Sequence, residues 1–204
     1  MSSTTSTIWE GGQSPFATGT KKLGMWLFII SDALTFSALL ICYTYLRMAT
    51  PNWPTPFHFV PSLVLSSVMT LVLLTSSLTM VRAVEAMRAQ MPSRAVRWLG
   101  ATIACGVLFV GLHLGEWNNL FREGVTPFRN PWNEPLFGAT FFTLTGLHMA
   151  HVLAGVVYLA VIAAGVARGR YSFVHVEVSG LYWHFVDLVW MFIFPLVYLM
   201  SARL

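Results

Sequence analysis

Seven side chains that can ionise lie inside long apolar stretches of this sequence. An ionisable group in the hydrocarbon of a membrane costs about 3 kcal/mol at the centre of a helix, so each one needs a partner or a role. Six of the seven form pairs spaced i, i+3, which places both members of a pair on one face of a helix. The seven are Asp32, His113, Glu116, His148, His151, His184 and Asp187.

Three kinds of chemistry suit carboxyl and imidazole groups in this arrangement. Glu-x-x-His pairs on facing helices build di-iron sites, but Glu116 would be the only carboxylate beside three histidines. A chain of acids and histidines can instead relay protons. The third kind is structural, in which hydrogen bonds of about 0.6–2 kcal/mol each hold helices together. These residues, taken alone, favour the structural interpretation.

Depth along each helix, at about 1.5 Å per residue, sorts the seven groups into two layers. The inner layer is predicted to hold Asp32, His184 and Asp187. The outer layer is predicted to hold His113, Glu116, His148 and His151.

The elements that position these groups are predicted to be membrane helices. The chain has 204 residues, of which 56% are hydrophobic and only 10% are charged, whereas a soluble domain is about 25% charged. A helix needs roughly 20 apolar residues to cross a bilayer. An all-α bundle of five transmembrane helices is therefore predicted over residues 21–204, after a polar tail at 1–20. The spans are about Leu23–Met48, Phe59–Val81, Trp98–Leu120, Leu136–Ala167 and Ser179–Ala202.

Lysine and arginine predict the orientation, because cytoplasmic loops carry more of them. The richer side should be cytoplasmic, which puts the N-terminus inside and the C-terminus in the periplasm. These cations lie between the apolar blocks and form no basic stripe, so nucleic-acid binding is excluded. One side has Lys21, Lys22, Arg82, Arg88, Arg94, Arg97, Arg168 and Arg170, and the other has Arg47, Arg122, Arg129 and Arg203.

Four segments, in order, carry a resemblance to a known family. The last is GLYWHFVDLVW at 180–190, with Glu177 ahead of it, and GATFFTLTGLHMAHV precedes it at 138–152. KLGMWLFIISD at 22–32 and the region around Glu116 are the others. Over about residues 21–202 the chain resembles subunit III of the haem-copper respiratory oxidases.

The resemblance implies a five-helix subunit that contains no redox centre and packs on subunit I, which holds the haems and copper. Subunit II and in some complexes subunit IV would be further partners. The family binds phospholipid and supports the stability and proton uptake of subunit I, here in a bacterial cytoplasmic membrane. No residue is expected to be catalytic or to bind a cofactor or metal. The implied polar network of helix packing and the lipid cleft comprises Asp32, His113, Glu116, His148, His151, Glu177, His184 and Asp187.

Two departures from the family pattern and two alternatives accompany this interpretation. Many members of the family have seven helices, whereas this chain begins at what would be their third helix. In this it resembles the five-helix form of subunit III found in bacterial quinol oxidases. The second departure is Asp32, which stands where glutamate is commoner. Both cytochrome c and quinol remain open as electron donor. The alternatives are the related accessory subunit of a nitric-oxide reductase and, in a different class, a membrane di-metal enzyme.

Overall fold

A computed structural model describes residues 19–203, which form five long helices. Each helix contains a stretch long and apolar enough to cross a membrane. The last helix continues through a π-helical turn at Phe194–Tyr198 and a 3-10 turn at Leu199–Ser201. The all-α fold and five spans predicted from the sequence are confirmed, while residues 1–18 of the predicted tail lie outside the described residues. The helices are α1 (Thr20–Ala49), α2 (Val64–Arg88), α3 (Pro92–Arg122), α4 (Pro135–Ala167) and α5 (Phe173–Ile193).

The helices begin at residues that suit a first helical turn. Pro92 and Pro135 start α3 and α4, where a missing N–H costs nothing because that donor has no partner inside the helix. Ser172 caps α5, and its backbone N–H donates a hydrogen bond to the Nδ1 atom of His175. α3 and α5 therefore begin about six residues before the predicted spans, because helical hydrogen bonding continues beyond the hydrocarbon.

Helices α2 to α5 form a four-helix bundle, and α1 lies against its α4–α5 side. The buried face of α1 is a single seam of Ile29, Phe36 and Tyr43, spaced seven residues apart. The rest of α1 presents large apolar side chains outward, including Leu34 and Ile41, each 69% exposed. This outward face is suited to contact lipid.

Two tryptophans of α5 form the centre of the bundle, and Trp183 and Trp190 are both fully buried. A Cβ atom added at Gly106 would lie 2.7 Å from the Trp183 ring, and one at Gly155 would lie 2.9 Å from it. These two glycines therefore let α3 and α4 approach the indole closely. No such contact surrounds Gly111, which faces away from the bundle.

The two ends of the bundle differ in composition. At the arginine-rich end, defined by Lys21–Lys22 and the α2–α3 and α4–α5 turns, the Lys22 Nζ atom lies 3.0 Å from Glu177 Oε1. At the opposite, proline-rich end, β1 (Phe57–His58) pairs in parallel with β2 (Ala202–Arg203). The structure thus brings Lys22 to the end that carries the α4–α5 turn, as the sequence predicted. Which end faces the cytoplasm stays a prediction.

Gly138 provides a test of this packing. An added Cβ atom there would meet the backbone carbonyl oxygen of Thr126, which cannot move aside as a flexible side chain can. We expect Gly138→Ala to lower the free energy of unfolding by about 1–3 kcal/mol. Gly111→Ala is the matched control, because nothing lies within 4 Å of its Cβ position. Thermal unfolding in detergent micelles measures both, and equal midpoints would contradict the prediction.

Candidate functional site

Asp32 of α1 and His151 of α4 form a polar contact between their helices. The Asp32 Oδ2 atom lies 3.1 Å from His151 Nε2, and each side chain is 19% exposed. On the other side of the ring, Nδ1 lies 2.8 Å from the carbonyl oxygen of Leu147. The Phe36 ring lies 5.2 Å from the imidazole, and the Tyr182 hydroxyl donates to the His151 carbonyl oxygen at 2.9 Å. The imidazole is therefore held on all sides.

The hydrogen bonds fix how many protons this pair holds. A carbonyl oxygen can only accept, so His151 Nδ1 must carry a proton. One further proton must then lie between Nε2 and the Asp32 oxygen. The pair is either a protonated carboxyl with a neutral imidazole or a carboxylate with an imidazolium. Its net charge is zero in both forms, which is the arrangement that burial near hydrocarbon favours.

His113 and His148 lie together in the core, and both are fully buried. The His148 ring stacks on Trp190 at 5.2 Å, and the His113 ring meets the same indole edge-on at 5.6 Å. Phe109 lies 5.7 Å from each imidazole. No side chain or backbone group between residues 19 and 203 hydrogen-bonds their ring nitrogens. Such buried rings belong in the neutral form, because an unpaired buried charge is far more costly than an unpaired polar group.

Glu116 of α3 joins three elements at the proline-rich end. Its carboxyl is almost fully buried, at 4% exposure. Oε2 accepts a hydrogen bond of 2.9 Å from the Tyr198 hydroxyl, and Oε1 lies 3.3 Å from Ser66 Oγ of α2. A small cavity of about 290 Å³, also lined by Ser62 and Asn119, reaches this carboxyl.

Burial favours the neutral, protonated form of the Glu116 carboxyl, because a buried charge costs far more than a buried polar group. The Ser66 hydroxyl has one proton, which is shared between the Ser62 carbonyl oxygen at 2.8 Å and Glu116 Oε1 at 3.3 Å. Tyr198 donates the shorter hydrogen bond to the carboxyl, to Oε2 at 2.9 Å.

The His184–Asp187 pair lies between α5 and α2. Ser77 Oγ of α2 lies 2.6 Å from His184 Nδ1. Asp187 is 6% exposed. Ser77 is also near the Asp187 carboxyl, but without hydrogen-bond geometry, and neither carboxyl oxygen has another partner in the described part of the chain. Asp187 is thus the buried acid that the described residues leave unsatisfied.

The predicted layers are wrong for His151. The sequence grouped His151 with the outer set, but the structure joins it to Asp32. His184 contacts Ser77 of α2, and no hydrogen bond within residues 19–203 joins it to Asp32. Glu177 lies at the arginine-rich end with Lys22. The eight residues therefore form several separate contacts within residues 19–203, and their assignment to a lipid cleft stays a prediction.

Sequence reasoning missed the neutral partners of these groups. Tyr198 and Tyr182 were not singled out, although a tyrosine in an apolar stretch needs a partner for its hydroxyl. Serines of α2 join helices in the same way: Ser66 contacts Glu116, Ser76 accepts from Trp183 and Ser77 contacts His184. Thr75 donates to the Leu71 carbonyl oxygen of its own helix.

The di-metal alternative requires converging ligands. Among residues 19–203, no three His, Cys, Asp or Glu side chains are positioned to hold one metal ion. The closest grouping, His113 with His148, presents two imidazoles enclosed by Trp190 and Phe109. The described residues therefore offer helix-to-helix contacts and no recognisable metal site.

Comparisons with known proteins agree on one family. The family model described as Cytochrome c oxidase subunit III matches residues 3–202. Cytochrome c oxidase subunit 3 of Alkalihalophilus pseudofirmus is 34% identical over 185 residues, which cover 89% of this chain and 87% of that protein. The protein of the same name from Bacillus subtilis is 35% identical over 184 residues, covering 89% and 86%. Cytochrome bo(3) ubiquinol oxidase subunit 3 of Pseudomonas aeruginosa is 33% identical over 187 residues, covering 90% and 87%.

The protonated state of Glu116 can be tested with an isosteric amide. In Glu116→Gln the NH₂ group can donate to Ser66 while the carbonyl accepts from Tyr198. We expect its unfolding free energy to stay within about 1 kcal/mol of wild type, whereas Glu116→Ala loses about 1–3 kcal/mol because two hydroxyls lose a partner. Thermal unfolding in detergent compares the two variants. A Gln variant as unstable as the Ala variant would show that the carboxyl is charged.

Proposed function

Since the chain belongs to the cytochrome c oxidase subunit III family, we propose that it is a non-redox accessory subunit of a haem-copper terminal oxidase in a bacterial cytoplasmic membrane. Oxygen is reduced at the haem and copper of subunit I, on which this chain packs, with subunit II completing the complex. The observation that carries the proposal is the family match across residues 3–202, which contain all five helices.

The buried polar groups support a structural role for this chain. Asp32 pairs with His151 and Glu116 is held by Tyr198, so these acids are used between the chain's own helices. His113 and His148 are enclosed by aromatic rings. Groups fixed in this way hold helices in place and are poorly arranged for a continuous proton relay through the chain. We infer that the chain supports the stability and proton uptake of subunit I from outside the path of the protons.

Bound phospholipid is part of the proposal. The outward face of α1 is apolar, and the Asp32–His151 pair lies partly exposed where α1 meets α4. A lipid beside this crevice would cover Phe28, which is 47% exposed and lies one helical turn from Asp32. The electron donor is left open, because relatives named for cytochrome c and for ubiquinol match at nearly equal identity.

Purification with and without the chain tests the proposed function. An affinity tag at the N-terminus leaves the pairing of Ala202 with Phe57 undisturbed. We expect the tagged chain to bring down a complex with haem absorbance and oxygen-reducing turnover. The same complex from cells that lack the chain should begin at a similar rate and lose activity faster during turnover.

The contradicting outcomes of that experiment are distinct. If the tagged chain purifies folded but alone, without haem absorbance, it is not a subunit of a terminal oxidase. If the complex reduces nitric oxide but not oxygen, the chain is instead the accessory subunit of a nitric-oxide reductase. Equal lifetimes with and without the chain would leave the assignment in place but overturn the supporting role.

The Asp32–His151 pair allows a sharper test within the complex. We expect Asp32→Ala to leave haem content unchanged but to weaken lipid retention or assembly, because a buried imidazole loses its partner. Asp32→Asn is the matched control, since its amide can donate to Nε2 as a protonated carboxyl would. Haem absorbance per complex and bound phospholipid per complex are the measurements. Loss of haem from an otherwise assembled Asp32→Ala complex would contradict the prediction.

A further inference from the structure

A groove lies at the arginine-rich end, between the last turns of α2 and the first turns of α3. Its volume is about 770 Å³. Arg82, Arg94 and Arg97 line it together with Ala86, Ala89 and Ala101. These side chains come from both helices, so the groove depends on the tight α2–α3 turn.

The positive charge of these three arginines is only partly balanced within the described part of the chain. Arg82 lies 3.1 Å from Glu85, and both side chains are 57% exposed. Arg94 contacts the sulfur of Met91, and no acidic side chain in residues 19–203 pairs with Arg94 or Arg97. Three arginines and one glutamate line the groove, which leaves two positive charges for an anion. Guanidinium groups bind phosphate oxygens in bidentate geometry.

The apolar part of the lining suits the other parts of a lipid. Ala86, Ala89 and Ala101 line the groove beside the arginines. Trp98 lines the same groove and is 40% exposed. Tryptophan is enriched at the level of lipid headgroups, where its ring meets both apolar and polar surroundings. A water-soluble anion would use the arginines but would gain nothing from the alanines.

We propose that this groove binds the phosphate headgroup of an anionic phospholipid, with the arginines on the phosphate and the glycerol region beside the alanines of the lining. The site lies on α2 and α3, whereas α1 packs against α4 and α5. It is therefore separate from the crevice beside Asp32. The inference deepens the phospholipid part of the proposed function by adding a second site and a charge preference. It does not require the chain to support turnover.

Lipid binding to the intact complex, measured by native mass spectrometry after delipidation and addition of phosphatidylglycerol, tests the proposal. We expect Arg94→Gln with Arg97→Gln to bind phosphatidylglycerol more than about 25-fold more weakly, because each arginine would contact the phosphate directly and so contribute more than the roughly fivefold effect of a charge elsewhere near the surface. The matched control is Arg168→Gln with Arg170→Gln, which removes the same charge from exposed positions at the same end but outside the groove. This control should change binding little.

A third variant tests whether lipid binding depends on the shape of the groove as well as on its positive charge. Ala89→Leu adds bulk to the lining of the groove without changing charge, and Ala89 is exposed, so the fold should tolerate the larger side chain. It should reduce phosphatidylglycerol binding several-fold. Equal loss in both double arginine variants, or no effect of Ala89→Leu, would overturn the groove site. Equal affinity for inorganic phosphate or for phosphatidylcholine would also overturn it. Haem absorbance and turnover are recorded in parallel, so failure of the lipid site is distinguishable from failure of the oxidase assignment.

Discussion

Hydrocarbon surrounds most of this chain, and a charge placed there must be cancelled within a few ångströms. The structure meets this constraint by sharing protons between neighbours. Asp32 and His151 hold one proton between them and are neutral in either arrangement. Glu116 accepts hydrogen bonds from Tyr198 and Ser66, and its protonated form carries no charge. Asp32, His151 and Glu116 can therefore lie at membrane depth without an isolated charge, whereas Asp187 is a buried acid without a hydrogen-bond partner in residues 19–203.

The same constraint explains why α2 is rich in hydroxyls. The indole N–H groups of Trp183 and Trp190 need acceptors inside the membrane, and Ser76 and Thr70 of α2 provide them at 2.9 and 3.0 Å. Ser77 serves His184 in the same way. Hydroxyls suit this task because they can also bond to the preceding turn of their own helix and so are never unpaired. The contacts fix the rotation of α5, which places Trp190 against the two core histidines.

The membrane spans could be predicted because the thickness of the bilayer sets the length of an apolar helix, and the segment at 180–190 led to the family. The hydrogen-bond partners of the polar groups were predicted less accurately. Depth counted along each helix ignores tilt and rotation, which is why His151 was assigned to a layer without Asp32. Tyr198 was missed because it follows Pro195, in a π-helical turn that redirects the side chain towards Glu116. Identifying that contact requires the path of the chain after α5.

The attachment of α1 shows how far polar contacts decide the architecture. In water its seam of Ile29, Phe36 and Tyr43 would hold it to the bundle, but in a bilayer lipid tails are as apolar as the seam and apolar burial gives little net drive. Polar contacts remain, at three heights. Lys21 and Lys22 meet His175 and Glu177 at one end. Asp32 meets His151 near the middle, and at the other end Tyr43 lies 3.0 Å from Ser201, which Arg47 also contacts. Since the end contacts lie nearer to water, the middle pair is the one whose loss would leave an unpaired group facing hydrocarbon. The position of α1, and of any lipid held beside it, therefore depends most on that shared proton.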